Sequence, residues 1–367
     1  MGSKKKALLA QGDGWRSIFR HQLVLPIAAL VIMLVANVCL TPTFFKISIQ
    51  NGVLYGYLID ILNRSSELVI LAVGMTMVVA ASRGTDISVG AIMAVSGALI
   101  VRLLGQSHDG YAMMPALAIF FGLLGGIACG AFNGLLVARL HIQPMVATLI
   151  LYTAGRAIAQ LISSDGDRIG IILYVRMESF KYIGGFIPGC VVPTPIFIAA
   201  AFVAVTVLLL KKTALSTYIQ TVGINPKAGR LVGINSVLVM FFCYVYCGLC
   251  SGVAGTIAAS RIYSSDANNI GLNMELDAIL AVALGGNSLG GGKFNLAGSV
   301  IGAITIQALS TGLYAMGVKA DQLPVYKAVV VILIVLFQSP AFKKWLHHLR
   351  ASRAVVAATV ASKGAAK

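Results

Sequence analysis

The glycine-rich run from Gly285 to Lys293 is the segment whose composition could cradle a phosphate, because successive glycine N–H groups can converge on anionic oxygens. The spacing fails that chemistry. The position five before Gly292 is Asn287, and Phe294 stands where a Ser or Thr would have to ligate magnesium. ATP chemistry must therefore come from a partner. Cys243, Cys247 and Cys250 follow i, i+4, i+7 spacing and could form a metal-binding stripe on one helix face. With no His or acid beside them, packing as small apolar residues is the expected role. Of the other three cysteines, Cys39, Cys129 and Cys190, only Cys190 falls clearly in an outer loop, so no structural disulfide is expected. The histidines are His21, His108, His141, His347 and His348, all outside the long apolar segments or at their edges. That removes most readings as an intramembrane hydrolase or metalloprotease.

Carboxylates are scarce where an ion-coupled carrier would need one, inside the apolar segments. Glu67 and Asp86 come closest; every other acid lies in a loop or near a segment end. An ion-coupled secondary sugar transporter is kept as the alternative reading. Polar groups inside the segments are Asn133, Thr148, Tyr152, Gln160 and Gln307, with Arg156 as the one ionisable residue well inside. They could line a path for a hydroxylated solute such as a sugar, whose hydroxyls must exchange water for protein hydrogen bonds. They could equally bridge helices.

The elements that position these residues follow from hydropathy. The 367 residues are 58% hydrophobic and 11% charged, with a mean hydropathy of +0.89. Apolar runs long enough for about 30 Å of hydrocarbon recur along the chain. They cover residues 22–40, 66–82, 87–104, 112–138, 143–162, 194–210, 236–258, 276–288, 296–315 and 325–338. The predicted fold is all-α, a polytopic transmembrane helix bundle of about ten spans. The stretch 276–288 is short and glycine-rich and could be re-entrant, so the count runs from eight to ten. Glycines at three- and four-residue spacing, Gly122, Gly125, Gly126, Gly130 and Gly134 in one segment and Gly248, Gly252 and Gly255 in another, suit close helix approach.

Charge sets the orientation. With both termini cytoplasmic, the inner segments carry most of the 28 Lys and Arg and two acids, Asp13 and Asp86. The net charge of +16 is then a topological signal, and nucleic-acid binding is excluded because no soluble fold carries a basic stripe. The chain divides into a basic cytoplasmic segment 1–21, a transmembrane domain 22–338 in contact with membrane lipid, and a basic tail 339–367. The longest inner loop, 211–235, reads as a short helix in its middle: Asn225 suits a helix cap, Pro226 a first turn, and Gly223 and Gly233 tight turns on either side.

At Arg83-Gly84-Thr85-Asp86-Ile87-Ser88-Val89-Gly90 the chain resembles bacterial ABC sugar permeases of the ribose, xylose and arabinose type. Their pattern there is Gly-Gly-Ile-Asp-Leu-Ser-Val-Gly, from which Arg83 and Thr85 depart. The resemblance continues through Pro144–Leu149, Gly155–Gln160, Val222–Asn225, Gly233-Ile234 and Glu275–Val282 running into Gly285-Gly286, in family order. Asp60–Arg64 and Ser265–Asn269 look most like the galactofuranose subgroup. The resemblance implies a permease subunit in a bacterial inner membrane, without catalytic residues or cofactor of its own. Its partners would be a second permease chain, identical or paralogous, a periplasmic sugar-binding protein and a cytoplasmic ABC ATPase that holds ATP and magnesium. It also places the ATPase contact on the loop 211–235, so Gly223, Asn225, Pro226, Ala228 and Gly233 are candidate coupling residues. Asp266, Glu275 and Asp277, around a polar outer loop with Asn268 and Asn269, form either a solvated rim or a docking site for basic residues of the binding protein.

Overall fold

The computed structural model describes residues 23–41, 43–50, 52–105, 113–164, 172–175 and 177–338. The basic segment 1–21 and the tail 339–367 lie outside the described residues. Helices dominate: α1 (Val24–Leu40), α2 (Tyr57–Ser82), α3 (Val89–Leu104), α4 (Pro115–Gly134), α5 (Pro144–Ile162), α6 (Glu178–Gly184) and α7 (Thr194–Lys212). There follow α8 (Leu215–Ile224), α9 (Pro226–Leu231), α10 (Ser236–Ile262), α11 (Met274–Leu284), α12 (Leu296–Ala315) and α13 (Leu323–Gln338). Among the described residues sheet is confined to two short antiparallel pairs. β1 (Ser48–Gln50) pairs with β2 (Val53–Tyr55), and β3 (Leu173–Tyr174) with β4 (Ser264–Ser265).

Among the described residues six helices are long and apolar enough to cross a membrane: α2, α4 with the π-helical turn Leu135–Arg139 that extends it, α5, α7, α10 and α12. Residues Pro26–Cys39 and Val89–Leu104 are shorter apolar helices. The 11 residues of α11 rise only about 16 Å at 1.5 Å per residue, too little for a crossing. The segment 276–288 is thus a half-length helix that runs into a glycine-rich turn, with Gly286, Gly291 and Gly292 all at positive φ.

α2 is longer than hydropathy predicts, starting at Tyr57 and not at 66. Its first turns carry Asp60 and Arg64, which pair at 2.7 Å one turn apart. From Ser65 to Ala81 every residue of this helix is buried. Such a helix lies inside the bundle, whereas α4, α5 and α7 bury one narrow face and leave Phe120, Phe121, Leu149, Ile150, Phe197 and Leu208 exposed. Those apolar outer faces are what a bilayer or a partner chain covers.

α10 is the central packing element and lies against α4, α2 and α3. Small residues permit it. A Cβ on Gly126 would stand 2.7 Å from the Gly248 carbonyl oxygen, and one on Gly130 would run into the Tyr244 carbonyl. The glycine spacing read from the sequence is therefore the α4–α10 seam, where backbone meets backbone. Cys243, Cys247 and Cys250 are buried, and Cys250 packs its Sγ against Gly74 of α2, the apolar role expected of them.

The chain divides into two compact units, residues 1–312 and 313–367. Among its described residues the second contains a turn at Gly317, at φ 82°, and α13.

Candidate functional site

The turn between α2 and α3, residues 83–88, lies at the centre of the first unit's polar contacts. α2 ends in a left-handed residue, Arg83 at φ 58°. Gly84 then lies so close to Pro144, at the start of α5, that a Cβ would enter its ring. Asp86 follows, fully buried. Its Oδ1 accepts the Ser88 N–H at 2.9 Å and the Ser88 hydroxyl at 2.6 Å, an Asx turn that sets up α3. The Ser88 Oγ in turn accepts the Asn133 Nδ2 of α4 at 2.8 Å. The Ile87 N–H donates to Thr148 Oγ1 of α5 at 3.2 Å, and the Tyr244 hydroxyl of α10 donates to Ser82 Oγ at 3.3 Å. One turn thus gathers α2, α3, α4, α5 and α10. Among the described residues two buried acceptors in it, Asp86 Oδ2 and Asn133 Oδ1, make no hydrogen bond that meets the distance and angle limits. Each such group costs about 1–3 kcal/mol until a donor reaches it.

A second cluster joins α5 to the loop between α10 and α11. Arg156 Nη1 donates to the carbonyls of Ala267 at 2.9 Å, Asn268 at 3.1 Å and Ile270 at 3.2 Å, while Gln160 Nε2 donates to Asn268 Oδ1 at 2.7 Å. Ser163 and Ser265 share a bond at 2.8 Å. Tyr152 is half-buried about one turn before Arg156. One nitrogen of the guanidinium, Nη1, serves carbonyls of a loop that has no regular ladder, while Nη2 is buried without a partner among the described residues. The expected outer rim of acids changes accordingly. Glu275 is only 2% exposed and sits against Gly90, so its carboxylate points inward. Asp266 Oδ1 accepts the N–H groups of Asn268 and Asn269, and its Oδ2 accepts the Asn269 amide. Asp277 is half-buried in the first turn of α11. Burial of Glu275 rules out a three-acid exposed surface.

Arg156 is also not the one ionisable residue deep in a span. Glu67 lies in the buried middle of α2 and pairs with Arg261, near the end of α10, at 3.2 Å. Arg261 Nη2 further donates to the Asn63 carbonyl and side chain at 3.0 and 3.2 Å. Hydropathy put Glu67 at a segment edge because it counts a charge as an end; a partner far along the chain keeps it inside. Gln307 stands apart from both clusters, donating to Thr311 on its own helix at 3.3 Å.

The segment 211–235 folds as two short helices, α8 and α9. Asn225 Oδ1 accepts the N–H groups of Lys227 at 3.0 Å and Ala228 at 3.2 Å, and Pro226 occupies the first turn, as the residue types predict. Gly233 turns at φ 82°. Gly223 differs from expectation: it lies inside α8, not in a turn, and its Cα is pressed against the Ala80 carbonyl of α2, with the Gly292 nitrogen 2.7 Å from any added Cβ. Among the described residues no group of three His, Cys, Asp or Glu could hold a metal ion.

Apolar helices of membrane-crossing length packed around buried hydrogen-bonding turns fit a multi-pass membrane protein. The chain belongs to the family described as the branched-chain amino acid transport system / permease component, matched over residues 57–338. It is 42% identical over 318 residues to the galactofuranose transporter permease protein YtfT of Escherichia coli (strain K12), covering 86% of this chain and 89% of that protein. It is 34% identical over 361 residues to the fructose import permease protein FruF of Bifidobacterium longum (strain NCC 2705), covering 97% and 98%. With the ribose import permease protein RbsC of E. coli (strain K12) it shares 35% identity over 309 residues, 84% and 91% of the two chains. No solved structure matches the chain. The protein is a permease subunit, a translocation component that catalyses no reaction itself.

Sequence reasoning does not single out Asp86 and Ser88 as site residues, although both stand in the string that carries the resemblance and the structure buries both in the turn. The readable signal was Asp-x-Ser ahead of an apolar helix, the composition of a side-chain-bonded turn.

Proposed function

We propose that this chain is the membrane subunit of an ATP-driven importer in a bacterial inner membrane, moving a monosaccharide: galactofuranose, or a pentose or hexose. The observation that carries the reading is the 42% identity to a galactofuranose permease over 86% of the chain. The family description mentions branched-chain amino acids, but relatives named for galactofuranose, fructose and ribose match nearly the whole chain. A soluble ATPase binds ATP and magnesium, a periplasmic binding protein delivers the sugar, and a second permease chain completes the path. The exposed apolar faces of α4, α5 and α7 supply area for that chain and for lipid. Glu67 does not revive ion coupling, because Arg261 and Asn63 already hold the pair in place.

The path passes the turn 83–88. Asp86 Oδ2 and Asn133 Oδ1 are acceptors of the kind a vicinal diol would satisfy, with Ser88 and Thr148 beside them. Arg156, Gln160 and Tyr152 flank it at the α10–α11 loop, and Gln307 lines a further stretch along α12. The segment 211–235, with Asn225, Pro226 and Ala228 at its tip, meets the ATPase. In proteoliposomes holding the whole complex, vanadate is expected to abolish uptake and a protonophore to leave it standing. The reverse pattern would make the protein a symporter.

The bundle makes an even number of passages, eight to ten, with both termini cytoplasmic. The basic inner segments support this orientation. Reporter fusions after Lys212 are expected to read cytoplasmic and those near Asp167 periplasmic; inversion at either site ends the topology.

A further inference from the structure

Arg83 occupies a backbone position that favours glycine, at φ 58°, and the ribose-type pattern has glycine there. The left-handed turn aims its side chain at the end of α8. Nε donates to the Gly223 carbonyl at 2.6 Å, and Nη2 donates to the carbonyl of Ile224, the last residue of that helix. These are carbonyls a helix leaves unpaired at its C-terminus, where a cation is also favoured by the helix dipole. The next residue, Asn225, caps α9. On its other side the junction is closed by the Gly292 N–H, which donates to the Ala80 carbonyl at 2.9 Å, and by Gly223 lying against that same carbonyl. Three residues after Arg83 comes Asp86.

We infer that Arg83 is a positioning residue for coupled transport: its planar fork ties the α8–α9 pair to the turn 83–88, so that displacement of the pair moves the buried Asp86–Ser88–Asn133 cluster. The geometry suits the task. A fork with two parallel donors resists both translation and rotation, which a single ammonium donor does not. The link is short and direct, running from α9 through Asn225 and Ile224 to Arg83 and on to Asp86 without another helix between. The inference rests on the reading of 211–235 as the ATPase contact.

The test uses the complete complex of permease, ATPase and sugar-binding protein in proteoliposomes, reading sugar carried per ATP hydrolysed, a ratio that does not depend on how much protein has folded. Arg83→Gly removes the fork and also relieves the left-handed strain, so it should assemble at least as well as the parent. The ratio is expected to fall about tenfold, within the usual range of coupling between sites, with Arg83→Lys recovering a part of it. A parental ratio in Arg83→Gly overturns the role of Arg83. Ala228→Glu, measured alongside, then separates the two ideas: if it uncouples, the loop still receives the ATPase; if it too keeps the parental ratio, the loop reading falls as well.

Discussion

Gly223→Trp is expected to leave the permease inserted and assembled but to reduce sugar uptake by a factor of about ten to a hundred, the equivalent of roughly 1–3 kcal/mol of overpacking. No rotamer avoids the conflict, because the obstruction begins at Cβ. A methyl group there would already enter the Ala80 carbonyl and come within 2.7 Å of the Gly292 nitrogen. Both obstacles are backbone and cannot swing aside. α8 must therefore lift from the end of α2, breaking the Arg83 bonds to Gly223 and Ile224 in the process. Gly223→Ala should show the same defect in milder form, which separates a steric cause from a general effect of tryptophan at a surface. The measurement is ATPase stimulation by sugar-loaded binding protein together with uptake in reconstituted complexes. Full stimulation and full uptake in the tryptophan variant would place coupling elsewhere.

The second large effect is expected at Asp86. Asp86→Ala strips the acceptor from the Ser88 N–H and hydroxyl and leaves donors buried without partners. Each donor left buried without a partner costs about 1–3 kcal/mol, so both accumulation in the membrane and transport should drop severely. Asp86→Asn is the informative variant. Its Oδ1 can still accept from Ser88, so the turn survives and the protein should accumulate near the parental level. The second oxygen becomes an amide donor, which reverses the hydrogen-bonding sense offered to an incoming hydroxyl. Uptake is expected to fall by about tenfold or more, one wrongly paired buried group being enough for that. Parental uptake in Asp86→Asn would reduce Asp86 to a structural cap and remove it from the path.

Much of the helical layout was legible because apolar length is a strong signal in a chain where charge is rare. The Asn225-Pro226 start of α9 was legible too, since a cap and a first-turn proline act on their immediate neighbours. What failed needed a partner distant in the chain. Gly223 reads as a turn residue until Ala80 of another helix is beside it. Glu67 reads as a segment boundary until Arg261, from the far end of α10, enters its surroundings. Glu275 looked like one of three rim acids, yet α11 begins at Met274 and carries it inward against Gly90. Arg83 looked like a departure from a pattern; only its left-handed backbone and the carbonyls it meets give the departure a purpose.

The enclosure of α2 also bears on which substitutions the chain can absorb. From Ser65 to Ala81 this helix is surrounded by other helices, so its residues are constrained by volume and by specific partners, and a change from methionine to a larger residue of equal hydropathy has nowhere to go. Wherever the outward faces of α4, α5 and α7 meet lipid and not a partner chain, the opposite rule holds: there nearly any apolar residue serves, because a fluid surround adapts to its shape. Drift in sequence should accumulate on those faces and spare the enclosed helix, so that α2 preserves ancestry while the perimeter records adaptation to different membranes.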